Sequence, residues 1–140
     1  MSSLFSAINA SASALDVQRA RMEVAVSNLA NAESTRSADG LPYRRRDVVI
    51  ESVAAPQDFG RGVEAASVRV ASILEDTSAF QRRFEPSHPD ADADGFVAVP
   101  NVSVPEEMVD LLGAARAYQA NLTAVTLIRD TVQKALELAK

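Results

Sequence analysis

The chain contains no cysteine and no tryptophan, and it has a single histidine among its 140 residues. The absence of cysteine excludes disulfides, thiolate metal sites and cysteine nucleophiles together. Large core-filling side chains are also scarce, because the aromatic residues are 5 Phe and 2 Tyr and much of the 47% hydrophobic fraction is alanine. The length corresponds to one domain, and this composition predicts only a modest core within a single copy.

Basic residues are in the minority, with 14 Lys and Arg against 19 Asp and Glu and a net charge of -5. Nucleic-acid binding needs positive charge to neutralise phosphates, so this balance argues against a nucleic-acid partner. No stretch approaches the roughly 18 consecutive apolar residues of a membrane span. Residues 1–14 lack the positive start and apolar centre of a signal peptide. We therefore expect neither stable membrane insertion nor a cleaved signal peptide.

A seven-residue repeat of apolar residues marks the N-terminal segment. Alanine and serine fill most flanking positions, and neither glycine nor proline interrupts the segment before Gly40. This pattern predicts a helix from about residue 4 to residue 31, which would be roughly 40 Å long. The predicted seam consists of Leu4, Ile8, Leu15, Met22 and Leu29, with Ser11, Gln18 and Ala25 between them.

The C-terminal segment repeats the same spacing and has a clear start signal. Ser103 is a capping residue, Pro105 lies in the first turn, and Glu106 can reach back to the free amide. The position of Glu106 and Glu107 at the positive end of the helix dipole accounts for both carboxylates. We predict a helix over 103–139. Its seam comprises Met108, Leu111, Ala115, Tyr118, Leu122, Val125, Val132, Leu136 and Ala139, interrupted by Arg129.

Two terminal helices with seams of matching period predict an antiparallel coiled coil. A closed helical bundle is the alternative, but the middle of the chain does not supply further helices. Abundant alanine and serine away from the seams favour close approach of helices from other molecules. We therefore predict a mainly α fold in which 1–33 and 103–140 form the core coiled-coil domain around a β-rich region at 34–102.

The middle of the chain changes to strand-like patterns. Alternation predicts a strand over 67–73 with Val68 and Val70 on one face, and short runs predict strands over 45–51 and 96–99. Turn signals occupy 39–42, 56–62 and 86–89. A small antiparallel sheet or a pair of hairpins fits this pattern. Such a unit is only marginally stable in isolation, so we expect it to pack against neighbouring structure.

The run Asp90 to Gly95 places three carboxylates at alternate positions before a glycine, as a calcium-binding loop does. Position 12 of such a loop would be Asn101, which cannot supply a bidentate carboxylate. Prolines and a strand-like run also replace the two flanking helices. The favoured interpretation is a solvated acidic turn in which Gly95 adopts a positive φ, and calcium binding remains the alternative.

Catalytic signals are weak. His88 lies between Ser87 and Pro89, and adjacency in sequence is not the geometry of a hydrolytic triad. The chain has neither a nucleophile elbow nor a phosphate-binding glycine loop. We therefore predict no enzyme and no catalytic, cofactor or metal site. The run Arg44-Arg45-Arg46 is interpreted as part of a strand that faces solvent or an acidic partner, for which the acidic turn is a candidate.

Several irregular motifs resemble those of the rod and hook axial proteins of the bacterial flagellum, and of a proximal rod subunit in particular. They lie in 27–35, 42–47, 86–92, 95–101, 106–110 and 117–121 and follow one another along nearly the whole chain. Glu33, Ser34 and Val104 depart mildly from the usual pattern. The motif residues are Asn28, Leu29, Asn31, Thr35, Tyr43, Arg44, Arg45, Arg46, His88, Pro89, Asn101, Tyr118 and Asn121.

The resemblance implies a structural, non-enzymatic subunit whose paired terminal helices line the core of a helical tube that transmits torque. It also implies export through the flagellar type III apparatus without a cleaved signal, and a final position in the periplasm. The implied partners are copies of the chain and other rod proteins, with no cofactor. It leaves open whether Arg44 to Arg46 meet protein or peptidoglycan. Another axial subunit, a coiled-coil adaptor or export chaperone, and a calcium-regulated binding module are the alternatives.

Overall fold

The structure, a computed structural model, describes residues 2–53 and 67–138. The turn predicted over 56–62 and Ala139 at the end of the predicted second helix lie outside the described residues. Six elements follow one another along the chain: α1 (Ser2–Ala30), β1 (Arg46–Val53), β2 (Ser67–Glu75), β3 (Gln81–Phe84), β4 (Phe96–Val99) and α2 (Val104–Leu138).

The two long terminal helices lie against each other, which confirms the predicted fold class. They run antiparallel, because Asn28 near the end of α1 contacts Glu107 in the first turn of α2. Ser103 precedes α2, and its carbonyl accepts the N–H of Glu107 at 3.0 Å. Within 2–53 and 67–138 there are two α-helices, so the paired arrangement holds rather than a closed bundle. Neither helix is long and apolar enough to cross a membrane.

The first hairpin, β1 and β2, packs along α1. Its strands pair antiparallel, with an irregularity in register between Val49 and Ile50. The alternation predicted over 67–73 holds in part: Val68 and Val70 are half-buried and Arg69 is exposed, but residues 71–75 are all exposed. The Val68 N–H donates to the hydroxyl of Ser13 in α1 at 3.1 Å, which fixes the hairpin to the helix.

The second hairpin contains a strand that the sequence did not predict. β3, Gln-Arg-Arg-Phe, is exposed along its length and lacks the alternation that marks a strand, but it pairs antiparallel with β4. Phe84 and Phe96 stand opposite each other in an edge-to-face contact with ring centroids 5.3 Å apart. Gly95 has the predicted positive φ, at 78°. A Cβ there would lie 3.0 Å from the Phe84 ring, so the turn needs glycine.

The core is small, as the composition predicted. The buried apolar residues of the two helices are Val17, Ala25 and Ala114. The other buried hydrophobic residues lie in the segment that connects the helices. They include Tyr43, Val97, Val99 and Val102.

The predicted seams are only partly right. In α1, Ile8, Leu15, Met22 and Leu29 are half-buried, whereas Leu4 is exposed. In α2 the row Leu111, Tyr118, Val125 and Val132 is half-buried as predicted, but Met108, Leu122 and Leu136 are exposed. The second inward row lies one residue earlier. Its members are Glu107, Ala114, Asn121 and Ile128.

Candidate functional site

The most buried polar side chains of the described residues meet where the two helices and the first hairpin converge. Asn28 is 0% exposed and Glu107 is 1% exposed. Asn28 comes from the last turn of α1 and Glu107 from the first turn of α2. Arg46 is the first residue of β1, and Arg45 directly precedes it. With Tyr43, these residues form a cluster that we call the junction.

The side-chain amide of Asn28 forms hydrogen bonds with the backbone at the start of β1. Its Nδ2 donates to the carbonyl of Arg46 at 2.8 Å, and its Oδ1 accepts the N–H of Arg46 at 2.9 Å. Oδ1 also accepts the hydroxyl of Tyr43 at 3.0 Å. The amide thus pairs with Arg46 as a neighbouring strand would, because it satisfies both backbone groups of one residue.

Glu107 joins the same cluster from α2. Its Oε2 accepts Asn28 Nδ2 at 2.9 Å, and its Oε1 accepts Arg45 Nε at 2.5 Å. Two further carboxylates lie near the guanidinium, since Arg45 is 3.6 Å from Asp47 and 3.6 Å from Asp110. Burial lowers the pKa of Arg45, but the Glu107 hydrogen bond and the nearby negative charges outweigh burial and raise the net pKa above its usual value.

The role of Glu107 corrects the sequence interpretation, which explained this residue by its position at a helix start. The side chain points inward and bonds residues of α1 and β1. Hydrophobic periodicity could not identify it, because that pattern assigns charged residues to the solvated face. The available signal was its place in a seven-residue row with Ala114, Asn121 and Ile128.

A second asparagine holds the residue next to Arg46. Asn101 accepts the N–H of Arg45 at 2.9 Å through Oδ1 and donates from Nδ2 to Ser78 Oγ at 2.8 Å. Arg44 reaches the same loop, donating to the carbonyl of Asp76 at 3.2 Å, and its guanidinium lies 4.3 Å from the centre of the Phe80 ring. The start of β1 is therefore held from both sides.

The acidic turn is not the partner of the arginine run. Arg45 bonds Glu107, Arg46 pairs with Glu75, and Arg44 bonds backbone carbonyls. An acidic partner exists as predicted for Arg45 and Arg46, but on α2 and β2. The acidic turn lies beside other basic groups, because Asp90 pairs with Arg36.

Two carboxylates of the acidic turn, those of Asp90 and Asp92, bind groups within the chain. Asp92 Oδ1 accepts the N–H groups of Phe96 and Asp94 at 2.8 and 3.0 Å, and its Oδ2 pairs with Arg82 at 2.6 Å. The hydrogen bond from the Phe96 amide is the main cause of a lowered Asp92 pKa. In 2–53 and 67–138 no group of three or more His, Cys, Asp or Glu is placed to hold a metal ion.

The remaining motif residues serve turns and helices. The Thr35 hydroxyl donates to Asp90 at 2.9 Å, and His88 Nδ1 accepts the N–H of Asp90 at 3.1 Å, while Pro89 is exposed. Asn31 and Asn121 both bond carbonyls four residues earlier in the chain. Tyr118 is half-buried in the inward row of α2. These contacts organise local structure, and none pairs a nucleophile with a base.

The outward side of α2 carries exposed apolar residues. Near its start, Met108, Val109 and Leu112 are 53%, 69% and 54% exposed, and we call them, with Gly113, the outer face of α2. A Cβ placed on Gly113 would meet nothing within 4 Å. Glycine inside a helix costs about 1 kcal/mol relative to alanine, and packing within this chain does not explain its presence.

Comparisons with known proteins agree with one another. The family description "Flagellar basal body rod FlgEFG protein C-terminal" matches residues 93–138. The chain is 42% identical to the flagellar basal-body rod protein FlgC of Bacillus subtilis, over 97% of this chain and 98% of that protein. It is 38% identical to FlgC of Aquifex aeolicus over 100% of both chains, and 36% identical to FlgC of Borreliella burgdorferi over 96% of this chain and 97% of that protein.

Proposed function

The chain belongs to the FlgC family of flagellar basal-body rod proteins, and from that premise we propose how one copy takes its place in the rod. It is a structural component and not an enzyme. We propose that it lies in the proximal rod, where it assembles with copies of itself and with other rod proteins. Its outer face of α2 then packs against a neighbouring subunit.

This proposal rests on the contrast between a small buried apolar core and a large exposed apolar surface. Few apolar side chains are buried among the described residues, whereas large apolar residues along α2 stay exposed. Clustered apolar exposure of this kind marks protein interfaces in soluble proteins. Gly113, open to its surroundings beside Leu112, would let a neighbouring helix approach closely. A rod subunit needs such a surface, because its neighbours complete its burial.

Torque transmission follows from the same arrangement. The helix pair would form the tube core, as the family resemblance implies, and the junction ties the first hairpin to both helices through hydrogen bonds. A load applied to the hairpin would therefore reach the helices through side chains that are buried and fully partnered. In this proposal the motif residues stabilise the subunit through contacts within one chain and do not form a ligand site.

Delivery to the rod is also part of the proposal. The chain would leave the cell body through the flagellar type III export apparatus without a cleaved signal and take its final position in the periplasm. An absence of cysteine suits this route, because no thiol could form a wrong disulfide in an oxidising compartment. Contact of the outer hairpins with peptidoglycan would be compatible with this position.

The first test is electron microscopy of basal bodies from cells that lack this chain. We expect the export apparatus to remain while the rod and hook are missing, and normal rods would contradict the proposal. The surface is tested by Leu112→Asp, which should abolish rod formation while the purified chain keeps its helical circular dichroism. Thr123→Asp, an equally charged change at another exposed position of α2, is the control and should assemble normally.

A further inference from the structure

We propose that the junction selects the rotation of α2 about its own axis, against the rotation that the apolar pattern of the helix favours. The inference concerns the free chain and does not rest on assembly into the rod. It has a consequence for assembly, because the chosen rotation is the one that leaves Met108 on the outer face of α2.

The sequence of α2 contains two competing inward rows. One row contains Met108, Leu122 and Leu136, with Ala115 and the charged Arg129 between them. The other, one residue earlier, contains Glu107, Ala114, Asn121 and Ile128. Exchanging one row for the other while keeping Leu111 inward corresponds to a rotation of about 50°, half of the 100° between successive residues. Burial of apolar surface favours the first row. The structure adopts the second, so another interaction has to outweigh this preference.

Glu107 supplies that interaction. Its two carboxylate oxygens bond Asn28 at 2.9 Å and Arg45 at 2.5 Å, and turning α2 toward the apolar row would carry the carboxylate away from both. Asn28 cannot follow, because its amide is fixed by Arg46. Moving Glu107 would also leave part of a buried amide without a partner, which is unfavourable. A buried polar contact that fixes helix packing at the expense of apolar burial has precedent in coiled coils.

Asn121 provides a matched contrast within the same row. It is half-buried, but its Nδ2 donates to the carbonyl of Ala117 in its own helix at 3.0 Å. Because both partners of that bond belong to α2, the bond is kept at any rotation of the helix and cannot select one. Val102, which is buried two residues before α2, is the competing determinant, since its packing could hold α2 without any contribution from the junction.

The experiment uses thiol labelling, which the absence of native cysteine makes specific. Reporter cysteines are introduced singly as Met108→Cys, at an exposed position, and Ala114→Cys, at a position that is 0% exposed. In the otherwise unchanged chain, labelling with a disulfide reagent should be at least about tenfold slower at 114 than at 108, a ratio equivalent to about 1.4 kcal/mol. In the Glu107→Ala background the order of the two rates should invert.

Glu107→Ala removes the carboxylate without adding a large apolar side chain to the observed inward row, and Arg45 keeps Asp47 and Asp110 nearby, so its charge still has partners. Asn121→Leu is the control and should leave both rates in their original order. If Glu107→Ala loses its helical circular dichroism, Asn28→Leu removes the same contact from the other helix and should give the inversion. Unchanged rates, or a reporter at 114 that is never protected, would overturn the proposal. Unfolded-like labelling at both positions in both junction variants would also do so, because the junction would then stabilise the fold without selecting its packing.

Discussion

Replacing Asn28 by alanine should lower the free energy of unfolding by about 3 kcal/mol, because each buried group that loses its partner costs about 1–3 kcal/mol. The substitution removes the bonds from Asn28 to Arg46 N–H, Arg46 C=O, the Tyr43 hydroxyl and Glu107. Not all of these partners become stranded, since Glu107 keeps Arg45 and the Tyr43 hydroxyl lies 3.3 Å from Ser27 Oγ. The backbone of Arg46 is the group that bears most of the cost.

The assay is urea unfolding followed by far-ultraviolet circular dichroism, with the midpoint and slope measured separately. Asn121→Ala is the matched control, because it removes one bond within a helix at a half-buried position. Alanine has the higher helix propensity, so this variant should change stability by less than about 0.5 kcal/mol. Equal effects at the two asparagines would refute the reasoning, because the cost would then reflect loss of an amide in general rather than the junction.

Two further results are expected. Gly95→Ala should lower the unfolding temperature more than Gly40→Ala, because both glycines have a positive φ but only at 95 does the new Cβ meet a neighbour, at 3.0 Å; equal losses would contradict this. The pKa of Asp92 is lowered in the folded state, first by the hydrogen bond from the Phe96 amide. The ionised carboxylate therefore stabilises the fold at pH values above its unfolded pKa of about 3.9. This contribution is lost as pH falls through the lower pKa of the folded state. Acid titration of thermal stability should therefore be less steep below pH 4 in Asp92→Asn, and identical profiles would count against that bond.

The helices could be predicted because their signals are local. A seven-residue repeat without glycine or proline marks α1, and Ser103, Pro105 and Glu106 mark the beginning of α2. The observed bounds, Ser2–Ala30 and Val104–Leu138, differ from the predicted ones by one or two residues. Helix formation depends on neighbours within a few positions, and the sequence displays those neighbours directly.

The rotation of α2 and the strand β3 could not be predicted, for a different reason. Each depends on residues far away in the chain. The inward side chain of Glu107 bonds Asn28 and Arg45, which lie 79 and 62 positions earlier. β3 is a strand because β4 pairs with it, although its own residues are exposed. Patterns of hydrophobicity report which residues avoid water, and they contain no information about which polar group will find a distant partner.

The two proposals on α2, that its outer face binds a neighbour and that the junction selects its rotation, support each other physically. A subunit that buried Met108 and Leu122 internally would gain apolar contacts in the free state and would have less apolar surface to offer its neighbours. The observed packing instead fixes the helix pair with Asn28, Glu107 and Arg45, whose polar atoms are satisfied inside one chain. In the proposed packing the junction outweighs the burial of these apolar residues, which therefore stay exposed in the free chain. In the proposed rod, neighbours that cover the outer face of α2 would add this burial, so assembly would stabilise the fold of the subunit.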